Sequence, residues 1–457
     1  MPEVKTAEFR SASLKALVDA NIQKALGAPF AHFVDGRRSA IDAEYTEESW
    51  ESMRTRASAI KTHTIQNLDY YLDLVDKNVR RNGGHVHFAD DSAAANRIVL
   101  EIAKQHDVKT VIKSKSMVSE ELGLNHVFEE NGVRAVETDL GEYIIQLVGE
   151  TPSHIIVPAI HKNRRQVGTL FAEKLGVEYT EDPQVLTKIA RRAIREKFLG
   201  ADAGLSGANF AAAASGSLVL FTNEGNGRMV TTVPPLHIVI LSLEKMIPSL
   251  ADLPTFIRLL PRSATGQSIT SYVSVITGTR KSGEATGAKE LHIVLLDNGR
   301  TEILSGECRE ILKCIRCGAC MNVCPVYRTV GGHSYGWTYP GPMGIVLTTL
   351  LTGMAKSHPL VDASTLCGAC VEVCPVRIPL VDLFLKLRGR RVREGFSQPM
   401  EKRGMRVFGK VAASPALFSA GQFLSSTFWP LIRAFGGKDV AGRLPRPASV
   451  PFRKRVP

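Results

Sequence analysis

The first 307 residues of this 457-residue chain contain no cysteine; all eight fall between Cys308 and Cys374. A disulfide framework would tie distant segments of a secreted chain together, so that architecture is excluded, and local thiol clustering in a cytoplasm-like chain points to metal. No window reaches the ~18 strongly apolar residues of a membrane span. The nearest, the uncharged stretch from Val411 to Ile432, is broken by Pro415, Gln422, Ser425, Ser426 and Pro430. It fits packing on its own domain better than lying on a membrane surface. The N-terminal MPEVKTAEFR lacks the apolar core of a secretory leader and carries acids early, so none is expected. A dinucleotide fingerprint is also missing. The glycines of GLSGAN and NEGNGR do not sit in a strand–GxGxxG–helix context, so no flavin or nicotinamide site of the chain's own is expected.

What is present is an ordinary globular composition, 44% hydrophobic and 22% charged, long enough for two or three domains. The net charge of +12 is uneven. From Arg377 to the end, 17 Lys and Arg face 4 Asp and Glu, so the remainder is almost neutral. A basic tail attracts acidic proteins, anionic lipid or nucleic acid, or is simply solvated. Weak membrane-surface contact is the expectation kept here; a nucleic-acid partner is not expected.

Four segments are expected. Residues 1–65 place apolar side chains at three- and four-residue intervals and read as helical. Residues 66–305 alternate short β-branched runs with amphipathic stretches. HVHFA, KTVIKS, RAVETD, EYIIQLV, HIIVPAI, SLVLFT, RMVTTV, HIVILS, SYVSVITG and HIVLLD read as strands. DSAAANRIVLEIAKQ, capped by Asp91 or Asp90, and PQVLTKIARRAIREKFL read as helices. This is the signature of an α/β domain with a largely parallel sheet. Residues 306–395 carry the cysteines with Gly- and Pro-rich turns. Residues 396–457 form a basic, partly disordered tail.

The first cysteine motif is Cys314-x2-Cys317-x2-Cys320-x3-Cys324-Pro325; the second is Cys367-x2-Cys370-x3-Cys374-Pro375. Two-residue gaps let one tight loop wrap three corners of a cubane cluster. The fourth cysteine, before proline, reaches the other cluster. Cluster one then takes Cys314, Cys317, Cys320 and Cys374, and cluster two takes Cys324, Cys367 and Cys370. A zinc site would want two pairs of ligands without the third close cysteine or the Cys-Pro ending. The position matching the first cysteine of the second motif is Ser364. Cluster two is therefore a three-iron cluster, or a four-iron one with Ser364, water or another group at its last corner. Cys308 lies outside both motifs and is expected to be structural.

The 42 residues between Cys324 and Cys367 include the helix-compatible GIVLTTLLTGMAK, which favours a helical ferredoxin arrangement like that of succinate dehydrogenase iron–sulfur subunits. His333, Tyr335, Trp337 and Tyr339 alternate there, shielding clusters, forming a docking face or packing a loop against the adjacent helices.

CIRCGACMNVCPVYRTVGGHSYGWTYPGPMG followed by STLCGACVEVCPVRIPL resembles the lactate-utilisation iron–sulfur protein family. GGHVHFAD, KSKSMVSEELGLN, ETDLGEYIIQL and GANFAAAASGSLVLFTNEGNGRMVTTVPPLHIVI resemble its LUD domain. The resemblance covers roughly residues 70–385. It implies a fold similar to the CoA-transferase/ribose-5-phosphate-isomerase superfamily. It also implies a role in oxidising L-lactate to pyruvate, beside a cysteine-rich CCG-repeat subunit and a small LUD-domain subunit. That superfamily places a glutamate after a strand in a Gly-rich loop. Here SLVLFT leads into Glu224 and Arg228, which are a substrate-site pair, or a Gly-Asn-Gly turn with a solvated acid and a salt-bridging arginine.

Three further groups are weighed. His85 and His87 lie on one strand face and read as polar surface or a metal pair. Glu137, Asp139 and Glu142 could line a cleft at the carboxyl edge of the sheet, or serve as caps. Lys113 and Lys115 flank a serine-rich turn and could meet phosphate.

The expected function is an electron-transfer subunit, carrying two iron–sulfur clusters of the 4Fe-4S type, of an L-lactate-oxidising complex in the cytoplasm. Two readings stand beside it: a general quinone-linked or heterodisulfide-reductase-like carrier, and an enzyme whose LUD domain does the chemistry while the clusters are structural.

Overall fold

The computed structural model describes residues 2–431. These divide into two compact units, the first ending at Arg388 and the second beginning at Gly389.

In the first unit, ten strands form two sheets. In chain order they are β1 (His85–Ala89), β2 (Thr110–Lys113), β3 (Arg134–Glu137), β4 (Ala203–Ser206), β5 (Phe210–Ala212), β6 (Ser217–Thr222), β7 (Leu236–Ser242), β8 (Met246–Ile247), β9 (Tyr272–Ile276) and β10 (Glu290–Leu296). Six of them pair in the order β1-β10-β7-β4-β2-β3, all parallel. β7 is buried along its whole length, as expected of a strand covered on both faces. Its side chains alternate between two cores. Ile238 and Ile240 pack with Val99, Ile102 and Phe128. Val239 and Leu241 pack with Tyr71, Val75 and Leu218. The second core includes residues of the smaller sheet, ordered β8-β5-β6-β9.

Local chemistry sets the helix ends. Asp91 caps Ser92–Gln105, its carboxylate accepting from the Ala94 amide at 2.8 Å. Asp182 caps Pro183–Leu199, with proline in the first turn. The helical N-terminus is present as Phe9–Val18, Ala20–Asp42 and Glu47–Gln66.

Three runs read as strands are not. EYIIQLV lies in the helix Leu140–Val148, started by Asp139 and closed by Gly149 in the left-handed region. RMVTTV lies in the helix Asn226–Thr232, which follows left-handed Gly225. HIIVPAI is buried but irregular, turned by a bond from the Ser153 amide to the Pro158 carbonyl at 3.0 Å. A short apolar run has no period of its own, and here the flanking caps decide.

From Arg300 to Arg393 the chain is a series of short helices and turns. The longest are Gly341–Thr352 and Leu380–Arg393. The predicted run GIVLTTLLTGMAK, from Gly344, supplies most of Gly341–Thr352 and continues into the short helix Met354–Ser357.

In the second unit, the expected disorder after residue 396 is replaced by two helices, Pro399–Ala413 and Pro415–Thr427. Each has proline in its first turn, and Ser414 caps the second. Residues 432–457, with the last part of the predicted tail and the last residue of the Val411–Ile432 stretch, lie outside the described residues. Among the described residues, no helix is long and apolar enough to cross a membrane.

Candidate iron–sulfur site and adjoining cavity

The two cysteine motifs have the same backbone. Arg316 and Leu366 each take φ 59°, and Gly318 and Gly368 follow at 77° and 85°. Each glycine then opens a one-turn helix, Ala319–Asn322 or Ala369–Glu372. Left-handed turns at these points fold the chain back so that amides face the sulfurs, and glycine adopts that conformation without a Cβ clash. The match extends to the missing cysteine. The Arg316 amide donates to Cys314 Sγ at 3.4 Å, and the Leu366 amide donates to Ser364 Oγ at 3.1 Å. Ser364 thus occupies the loop position of a first ligand, with oxygen in place of sulfur.

Cys314, Cys317, Cys320 and Cys374 line one small cavity, closed by Ile155, Met343, Val376, Ile378 and Leu380. Within it, the Cys317 thiol feels Cys314 and Cys374, and the Cys320 thiol feels Cys314 and Cys317. Cys324, Cys367 and Cys370 make a second set, in which Cys370 feels the other two. The sets adjoin, since Cys320 also feels Cys370. Burial pushes the Cys317 and Cys320 thiols up, and Cys370 is pushed up to about 12. Thiols this crowded and buried hold protons unless a cation replaces them, which is the chemistry of a metal–thiolate site. Amides also donate to Cys324 Sγ from Tyr327 at 3.5 Å and to Cys374 Sγ from Ile378 at 3.3 Å. The donor set, its shape and these amide contacts fit iron–sulfur cubes.

Around the first set stands a ring of cations that sequence reasoning missed. Arg54, on the helix Glu47–Gln66, donates to the Cys374 carbonyl from Nε at 3.1 Å and Nη2 at 2.9 Å. Arg37 lies near enough to influence Cys317. Arg316, within the motif itself, leans on Cys314, stacks over Tyr339 at 5.2 Å and pairs with Glu244 at 2.9 Å. Arg300 pairs with Glu244 at 2.9 Å and with Glu121 at 2.7 Å, and Tyr339 donates to Glu121 at 2.6 Å. Arg54, Arg300, Glu121, Glu244 and Tyr339 are buried, and Arg37 and Arg316 half-buried. The one available signal was a set of charged residues in positions that also read as exposed turns or helix faces.

Tyr335 and Tyr339 are fully buried and Trp337 nearly so; burial, and after it the nearby Cys324, Tyr327 and Cys320, raise the Tyr335 pKa. His333 is exposed and bonds the Thr151 carbonyl at 2.7 Å.

A second cavity, of about 250 Å³, opens where the parallel strands end. Its wall comes from the residues just after β2 (Ser114, Lys115, Ser116), β4 (Gly207, Asn209) and β7 (Lys245), with Asp139 after β3. Ligands of open α/β sheets bind at this edge. Glu224 lines the cavity too, while Arg228 is exposed with its guanidinium over the Tyr272 ring at 5.6 Å. Lys115 donates to the Ile156 carbonyl at 2.6 Å. Lys113 is instead buried against Glu137 at 2.5 Å. Asp139 is both cap and cavity wall, and Glu142 is buried in the helix Asp139 starts. On the far end of the sheet, His85 stacks on His292 at 4.7 Å, and His87 Nε2 meets His292 Nδ1 at 3.1 Å.

Comparison with known proteins agrees with this division. Residues 72–296 match the LUD domain and residues 310–378 the 4Fe-4S dicluster domain. The chain is 43% identical over 420 residues to the Escherichia coli K12 protein named uncharacterized electron transport protein YkgF, covering 92% of this chain and 88% of that one. It is 50% identical over 374 residues to lactate utilization protein B of Bacillus cereus AH820, and the same to that of Bacillus anthracis A0248, covering 82% of this chain and 79% of each. A crystal structure of a DUF162 family protein from Deinococcus radiodurans overlaps half of this chain and 98% of its own, at 10% identity and a TM-score of 0.29, too low to extend its fold to this chain.

Proposed function

Since the chain belongs to the family of lactate utilization protein B and YkgF, we propose that it is the iron–sulfur electron-transfer subunit of a complex oxidising L-lactate to pyruvate. The observation that carries this reading is the pairing of two equivalent loops whose seven cysteines fall into two adjoining sets. We assign Cys314, Cys317, Cys320 and Cys374 to one four-iron cluster. Cys324, Cys367 and Cys370 hold a second, with Ser364 at its fourth corner. The surrounding domain is assigned the helical ferredoxin arrangement, and the LUD domain a CoA-transferase/ribose-5-phosphate-isomerase-like fold.

When bound, the clusters supply one-electron transfer. The protein's part is to hold and insulate them. Thiolates fix the metal, amides of Arg316, Tyr327 and Ile378 donate to the sulfurs, and Ile155, Met343 and Leu380 keep water from the first set. Arg37, Arg54 and Arg316 offset negative charge there, which favours acceptance of an electron. The partners proposed are a CCG-repeat subunit and a small LUD-domain subunit. The basic segment after Arg377 is proposed to touch acidic surfaces, a membrane face included.

Two experiments test this. A strain lacking the gene is expected to lose growth on L-lactate and keep growth on pyruvate. The purified chain alone is expected not to oxidise lactate with an artificial acceptor, whereas a mixture reconstituted with its partners does. Turnover by the isolated chain would overturn the carrier reading.

A further inference from the structure

The cavity at the carboxyl edge of the parallel sheet shares a wall with the first cysteine set, and the three cations of its lining, Lys115, Lys245 and Arg316, outnumber the carboxylates of Asp139 and Glu224. Arg316 lines it while leaning on Cys314, so one guanidinium faces both places. Beside it, Lys245 is 7% exposed, lines the cavity and makes no hydrogen bond or ion pair with any described residue. Its neighbour Glu244 pairs with Arg300 and Arg316 at 2.9 Å each and reaches Lys245 only through its field, without a hydrogen bond or ion pair. Burial, and after it the neighbouring Arg316, pull Lys245 down to about 8, and an anion in the cavity would restore its charge. Lys115 adds a third cation to the wall. Ser116, Asn209, Asn223 and Thr270 add neutral polar groups, and Ile155, Ile156 and Leu260 an apolar side. The volume of about 250 Å³ falls below the ~300–1,000 Å³ typical of drug-sized ligands and suits a small one.

We infer that this cavity binds a short 2-hydroxy or 2-oxo monocarboxylate, its carboxylate on Lys245 and Arg316 and its second oxygen on the neutral polar wall. The choice of acid rests on the lactate reading above; the anion site rests on the geometry. Through Arg316, occupancy would be felt at the first cysteine set, so the ligand reports to the cluster it adjoins. Glu224, exposed at the mouth, repels the anion and limits its affinity.

The test uses the full chain purified anaerobically with its clusters, titrated by calorimetry with L-lactate, pyruvate, acetate and sulfate. L-Lactate or pyruvate is expected to bind saturably and to shift the EPR signal of the first cluster, with acetate and sulfate at least 10-fold weaker. Lys245→Gln is expected to weaken binding 10-fold or more with the cluster spectrum retained. Glu224→Gln, at an exposed position, tightens it several-fold, so the sign of that change tests the site even if the lysine variant loses its clusters. No saturable binding to the wild-type chain, equal binding of acetate and sulfate, or unchanged affinity in Lys245→Gln would each overturn the proposal. The deletion strain separates the two failures. Growth lost on lactate with no acid bound leaves the electron-transfer reading and removes the cavity. Growth unaffected removes the lactate reading and this choice of ligand with it.

Discussion

The two cysteine sets share one loop design and differ in their surroundings. The first is walled by apolar side chains, has four thiols and is flanked by Arg37, Arg54 and Arg316. The second has three thiols and Ser364, its Cys367 is exposed, and among the described residues no cation figures among the main influences on Cys324 or Cys370. The same backbone thus builds one insulated, positively surrounded site and one at the surface. Positive surroundings raise a reduction potential and exposure eases contact with a partner. If both sets hold clusters as proposed, the first is expected to have the higher potential and the second the easier contact with a partner.

The largest break in this comparison comes from the ligands. Cys317→Ser is expected to abolish the EPR signal of the first cluster and destabilise the region, because such a site folds only around its metal. Cys367→Ser should remove the second signal and leave the first, and loss of both would show that the sets do not form separately. Ser364→Cys should sharpen the contrast by completing four thiolates. The second cluster is expected to resist oxidative loss better, while Ser364→Ala should leave it with three irons, read by Mössbauer spectroscopy. Arg54→Leu removes a buried positive charge from the first set alone. Its potential is expected to fall by about 50 mV, about 1 kcal/mol for one electron, with the second unchanged.

A smaller effect concerns pH. His154 and His237 are buried, and desolvation pulls both down to about 3. Unfolded, they titrate near 6.5, so the unfolded chain binds the extra protons between those values. Their stabilisation is whole above pH ~6.5 and is lost as pH falls toward 3, by up to about 1.4 kcal/mol per pH unit for each. Denaturant midpoints at pH 7 and 5.5 should show the loss, reduced in His237→Asn. Smallest of all, Cys308→Ser, outside both motifs, should leave both EPR signals as they are.

What could be read from the sequence follows how local each interaction is. The loops around Cys314–Cys324 and Ser364–Cys374 are written in consecutive residues, so their equivalence, including Ser364, was visible in the spacing. So were β7 and the helix begun by Asp182 and Pro183. EYIIQLV and RMVTTV were misread because a short apolar run suits a strand or a helix alike, and caps outside the run settled it. The cation ring was hidden for another reason. Arg54 meets the Cys374 carbonyl across 320 residues, and Arg316 meets Glu244 across 72. In sequence these are charges on a helix face and in turns; only tertiary packing makes them buried. Of the Glu224–Arg228 pair, the structure brings Glu224 alone to the cavity, and Lys245, directly after a buried strand, gave no sign of its burial.

The most direct test is a count of iron and acid-labile sulfide in the anaerobically purified chain. About eight of each per chain, two cubes' worth, is the predicted result. Colourless protein carrying zinc or no metal would contradict it.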